Sequence, residues 1–270
     1  MNGRGVWAVV RRDLVVVLGS KAVVLPAIIV PALLLVGLPA LAGFTPRLFD
    51  AAAASDLEPL LAMLPSDRLA ALHPDPALQA AEVLVTYLFA PLVLLIPVMF
   101  ASVIAADGIA GEKERGTLEG LLLTPLTDRE VVVAKLLAAW VPAATLGIVG
   151  AVVYAVVSNL AVGTQVGRWV LPTSEFTVMA LVVGPAFAAA ALAAVLLTSV
   201  RANSTQEAFQ LGGVVVLPVI VMVGSQALGV LLLSTTLLLA AAVVALAIAA
   251  GLVAVGARRL ARPRLGERLG

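Results

Sequence analysis

Residues 208–257 contain no charged side chain. A single helix crossing the hydrocarbon of a bilayer needs about 20 apolar residues, and tilting absorbs only a few more. This run is therefore two passes rather than one, and the Gly224-Ser225-Gln226-Ala227-Leu228-Gly229 segment is its natural break. The rest of the chain has the same character. Of its 270 residues 62% are hydrophobic and only 12% charged, too few polar groups to clothe a soluble surface. The apolar runs are solid rather than alternating, which excludes a transmembrane β-barrel. The fold class expected is an all-α polytopic membrane protein in contact with the lipid bilayer.

Six spans are expected, at about 22–44, 83–106, 136–158, 176–200, 211–223 and 231–257, within a single transmembrane domain over 1–270. Pro26, Pro31 and Pro39 in the first, Pro91 and Pro97 in the second, Pro142 in the third and Pro185 in the fourth each remove a backbone donor and predict kinks. Ahead of span 1, Trp7, Val10, Leu14, Val17 and Leu18 recur at helical spacing opposite Arg11, Arg12 and Asp13. That pattern predicts an N-terminal interfacial helix. Between spans 1 and 2, residues 45–82 form a polar loop, with short amphipathic helices over 57–72 and a turn at His73-Pro74-Asp75-Pro76. Residues 159–175 read as a short loop whose only charges are Arg168 and Glu175.

All but three of the 17 Lys and Arg fall in the N-terminus, the 107–135 segment, the 201–207 turn and the C-terminal tail. The exceptions are Arg47, Arg68 and Arg168. The positive-inside rule then places both termini and segment 107–135 in the cytoplasm, with the 45–82 loop outside.

Several chemistries lack their residues. There is no cysteine, and the single histidine, His73, stands alone in a loop, so neither thiolate chemistry nor a zinc site is expected. Gly111 to Gly116 is followed by Thr117 without the lysine of a phosphate-binding loop, so the chain is not expected to hydrolyse nucleotide. No charged residue lies within an expected span away from its ends, which disfavours an ion-coupled carrier. The hydroxyls and amides inside the spans (Thr86, Tyr87, Ser102, Thr145, Thr198, Ser199, Ser225, Gln226) are expected to make helix–helix hydrogen bonds.

Polarity instead concentrates between spans 2 and 3, in Gly111-Glu112-Lys113-Glu114-Arg115-Gly116-Thr117-Leu118-Glu119-Gly120-Leu121-Leu122-Leu123-Thr124-Pro125-Leu126. Leu118, Leu121 and Leu122 fall on one face of a short helix, Gly116 permits a sharp change of direction before it, and Pro125 closes it. Thr127-Asp128-Arg129-Glu130 has the Thr-x-x-Glu spacing of a capping box and starts the next helix. A leucine face outside the hydrocarbon wants cover, and from the residues alone both the headgroup surface and a groove on a partner protein suit it.

The run from Glu112 to Leu126, with Lys135 following, resembles the sequence after the second span of ABC-2-type ABC transporter permeases, and most closely the sodium-efflux and multidrug branch. The resemblance implies a membrane subunit that is not itself an enzyme. In that family two permease protomers pair, as a homo- or heterodimer, and cytoplasmic ATP-binding-cassette ATPase subunits dock beneath them. ATP and Mg would then be held by the partner, with no cofactor on this chain and no nucleic acid among its partners. The coupling residues implied are Glu112, Lys113, Glu114, Arg115, Gly116, Thr117, Leu118, Glu119, Leu121, Leu122, Pro125 and Leu126. Export across the plasma membrane is the expected direction. A membrane anchor that recruits a cytoplasmic protein through the same segment, without transporting anything, is the alternative.

Overall fold

In the computed structural model, residues 29–48, 61–62, 64, 66–108, 116, 128–199, 206–207, 217, 220–221 and 234–259 are described. Every regular element among them is helical. Five helices are long and apolar enough to cross a membrane. These are α1 (Ile29–Arg47), α3 (Pro76–Ala106), α4 (which starts at Asp128 and runs through Ser158 to Val166), α5 (Ser174–Ser199) and α6 (Thr235–Arg259). A short helix, α2 (Ser66–Ala71), precedes α3. The expected interfacial helix lies outside the described residues, as does span 211–223 except for residues 217, 220 and 221.

Local chemistry moves several boundaries from where hydropathy puts them. Asp75 caps α3, its Oδ1 accepting from the backbone N–H groups of Ala77 (2.9 Å) and Leu78 (3.2 Å). Pro76 takes the first turn, where a missing N–H is harmless. The expected turn at 73–76 is thus a helix start, and α3 begins about two turns ahead of residue 83, bringing Glu82 inside it. At the far end of α4 the helix does not stop at Ser158. It widens into a π-turn over Asn159–Gly163 and ends at Gly167, whose φ of 76° is the left-handed conformation that closes helices. The expected 159–175 loop shrinks accordingly. Thr173 then starts α5, its Oγ1 accepting from Phe176 N at 3.1 Å.

The prolines act through one recurring device. A π-turn over Leu33–Gly37 precedes Pro39, one over Leu84–Leu88 precedes Pro91, and one over Met179–Val183 precedes Pro185. A proline ring collides with the carbonyl four residues back and gives it no N–H, and widening the preceding turn relieves both faults. In α3 the chain then tightens into a 3-10 turn over Ala90–Leu94 before resuming as α-helix. Pro97 and Pro142 sit in α-helical stretches with no π-turn directly before them, and nothing in the structure explains the difference.

Helices α3 and α5 form the centre of the bundle, each with 61% of its apolar window buried, against 22% for α1 and α6. The main core runs through all five long helices, from Leu35 through Val98, Tyr154 and Val195 to Leu238. Glycines permit the closest approaches. A Cβ on Gly147 of α4 would stand 2.8 Å from Pro97 Cβ of α3, and one on Gly43 of α1 would stand 2.8 Å from the Ala161 carbonyl. Outward faces are as apolar as the interior: Leu33, Val152, Leu160, Val243 and Val244 are exposed, as suits helices solvated by lipid chains.

Most of the hydroxyls expected to join helices do not. Ser102, Thr145, Thr198 and Ser199 each bond to a carbonyl four residues back in their own helix, because in lipid that carbonyl is the nearest acceptor. The long-range bonds come from larger groups instead. Trp140 Nε1 donates to Pro185 O (2.9 Å), and the Tyr154 hydroxyl donates to Val85 O (2.7 Å). The second follows from the π-turn, since Phe89 N bonds to Leu84 O and leaves the Val85 carbonyl short of its helical donor.

Candidate functional site

Among the described residues, two ion pairs between elements and a buried amide stand at one end of the bundle, where α1 and α4 finish and α3 and α5 begin. Asn159 is the hub. Its Nδ2 donates to Ala155 O (2.8 Å) and Leu171 O (2.6 Å), and its Oδ1 accepts from Val170 N (2.8 Å) and Leu171 N (3.2 Å). One buried amide thereby uses its full bonding capacity to fold the α4–α5 connection back onto the bundle. Gln165 reaches sideways from α4 to the Gly43 carbonyl at the end of α1 (2.8 Å).

Two ion pairs cross this end. Glu82, whose side chain is 4% exposed, accepts from Arg168 Nη2 and from the His73 backbone N–H (3.1 Å). A carboxylate that deep requires such company, since an unpaired buried charge is too costly to keep. Arg168 also donates to the Ala71 carbonyl at the end of α2. The second pair joins Arg68 of α2 to Glu175 in the first turn of α5, and Ser174 Oγ bonds to the same carboxylate (3.0 Å). The Glu175 hydrogen bond, with Tyr87 as a further neighbour, holds the Arg68 guanidinium above its ordinary value. Below this layer, Tyr154 stacks on Phe176 with centroids 5.8 Å apart. Thr86 Oγ1 is buried there with no hydrogen-bond partner.

Sequence reasoning missed this cap. It places Arg68 and Arg168 on one side and notes the carboxylates, but pairings 86 and 107 residues apart leave no local signature. The nearest signal is that the only cations expected outside, Arg47, Arg68 and Arg168, all reach one end of the molecule. Glu82 lies in the added turns at the start of α3, which begins earlier than its hydropathy suggests.

The segment singled out in the sequence lies between the other ends of α3 and α4. Of its residues only Gly116 is described. It is exposed, has φ of 68°, and nothing stands within 4 Å of where its Cβ would be. A left-handed glycine is what a change of chain direction at this point demands. Glu112, Lys113, Glu114, Arg115, Thr117, Leu118, Glu119, Leu121, Leu122, Pro125 and Leu126 lie outside the described residues. The flanks are visible. α3 runs to Ala106 with Asp107 at its cap, and α4 is described from Asp128 onward, while Thr127 of the expected capping box lies outside the described residues. Lys135 is buried, with its Cδ 3.8 Å from the position of a Cβ on Gly108, so its stem packs at the base of the segment.

No curated protein matches this sequence. The family model described as ABC-2 family transporter protein matches residues 7–237, which takes in α1 to α5, the polar segment between α3 and α4, and the first residues of α6. With a match over that much of its length, and five apolar helices of spanning length in its fold, the chain belongs to the ABC-2 family of transporter membrane proteins.

Proposed function

We propose that the chain is the membrane subunit of an ATP-driven exporter, powered by a separate cytoplasmic ATPase that docks on residues 111–126. The observation that carries this is the family match, together with the position of the segment between α3 and α4, at the end of the bundle away from the cap. On this reading the subunit forms a single six-span domain in the plasma membrane, with both termini and the docking segment cytoplasmic and the cap outside. It works as a homo- or heterodimer, and its relatives of nearest type are the sodium-efflux and multidrug permeases. ATP and Mg belong to the partner. Leu118, Leu121 and Leu122 fill a groove on the ATPase, Glu112, Glu114, Arg115 and Glu119 set register, Gly116 and Pro125 shape the elbow, and Lys113, Thr117 and Leu126 complete the coupling segment.

The test is purification of the assembled complex carrying Leu121→Asp and Leu122→Asp. Two carboxylates in place of two of the three leucines assigned to docking should oppose entry into an apolar groove. The ATPase is expected to be lost from the purified complex, by tenfold or more, while the permease still inserts in the membrane. Full recovery of the ATPase with the double variant would sink the coupling role. An ATPase that binds but whose hydrolysis never drives movement of any solute in vesicles would favour the anchor reading instead.

A further inference from the structure

We infer that the two ion pairs of the cap, Glu82–Arg168 and Arg68–Glu175, form a latch that closes the outer end of the bundle and opens during the ATP-driven cycle. This rests on the reading of the chain as an exporter subunit. Each pair joins separate elements: Arg168 of the α4–α5 connection to α3, and Arg68 of α2 to α5. Together with the Arg168 contact to Ala71, they tie α2 across the starts of the two central helices.

The backbone beneath the latch is irregular in both central helices. Glu82 stands two residues before the π-turn at Leu84–Leu88, and Glu175 four residues before the π-turn at Met179–Val183. A π-turn interrupts the regular hydrogen-bond ladder and allows the segment above it to shift relative to the segment below. Each central helix thus carries a latch carboxylate directly above its own weak point. The cations suit a contact that must break. Side-chain exposure is 31% for Arg68 and 45% for Arg168, so each guanidinium regains water when its pair parts, while Glu82 keeps its bond from the His73 N–H and Glu175 its bond from the Ser174 hydroxyl. Under the latch the described interior is a packed apolar core with isolated hydroxyls such as Thr86.

The absence of native cysteine makes the test direct. In the complete complex with its ATPase, Arg68→Cys and Glu175→Cys are bridged by a bis-methanethiosulfonate whose spacer replaces the two side chains. Bridging is expected to be efficient without nucleotide and to fall at least about fivefold with ATP, Mg and vanadate. A bridge formed before ATP is added should block nucleotide-driven opening until dithiothreitol removes it. As a second measurement, Thr86→Cys should react at least about fivefold faster with a membrane-impermeant thiol reagent in the vanadate state than without nucleotide. Equal bridging and equal Thr86→Cys labelling in both states, with vanadate-sensitive hydrolysis intact, would show a static cap and overturn the latch. A complex with no vanadate-sensitive hydrolysis would overturn the exporter reading, and the latch with it.

Discussion

Asn159 shows how much one side chain can determine in a nonpolar bundle. Its amide satisfies the backbone of Val170 and Leu171 as well as the Ala155 carbonyl, and all of these groups are remote from water. Replacing it with alanine leaves at least three buried backbone groups unpaired, each worth about 1–3 kcal/mol. Asn159→Ala is therefore expected to destabilise the detergent-solubilised protein by on the order of 3 kcal/mol, read as a fall in the midpoint of thermal or denaturant unfolding. Thr145→Val is the contrast. Its hydroxyl bonds only to Val141 O in its own helix, so the same measurement should change little. An Asn159→Ala midpoint as high as that of the Thr145 variant would mean that the α4–α5 connection is held by packing alone. Nothing near Asn159 in the sequence distinguishes it from an ordinary loop asparagine. Its role depends on the helix continuing past Ser158, which hydropathy does not report.

At the scale of the helices, the prolines were informative and the charges were not. Interior prolines at 39, 91 and 185 predict irregular helices, and each is preceded by a π-turn. That follows from sterics local to the proline, so a single sequence carries it. Not every boundary was legible in this way. The start of α3 was not, because Asp75-Pro76 suits a turn as well as a cap, and only the bonds to Ala77 and Leu78 decide between them. Close helix packing yields a further expectation. In α4, Gly147→Ala sets a methyl 2.8 Å from Pro97 Cβ, and a proline ring cannot rotate away. Helices α3 and α4 must then separate, at a cost of about 1–3 kcal/mol for overpacking. Gly251→Ala in α6 meets nothing within 4 Å and is expected to be neutral, or stabilising by up to about 1 kcal/mol through helix propensity. Thermal melts of the two variants side by side decide the matter: equal midpoints would mean that the α3–α4 contact yields freely.

Across the whole molecule, polarity is divided between two ends with an apolar body between them. The paired charges of the cap stand at one end, and the segment carrying Gly116 emerges at the other. The gathering of Arg68 and Arg168 at one end was legible in the distribution of Lys and Arg, which sets them apart from most other cations. The architecture of the cap was not, since it depends on which loops meet after the helices have packed. The two ends must face opposite sides of the membrane if one releases cargo and the other receives work from an ATPase. A chain without cysteine allows this to be tested by single introduced thiols. Ala70, exposed on α2, marks the cap, and Lys113 marks the polar segment. In intact cells, Ala70→Cys should be labelled by a membrane-impermeant maleimide and Lys113→Cys only after the membrane is opened. Both residues flank apolar helices and neither substitution adds charge to one, so neither should disturb insertion. Labelling of Lys113→Cys in sealed cells would reverse the orientation derived from the cations and move the polar segment out of reach of any cytoplasmic ATPase. Labelling of both positions would mean that one of the apolar runs does not cross the bilayer. The run to check first is 211–223, the shortest of the expected spans.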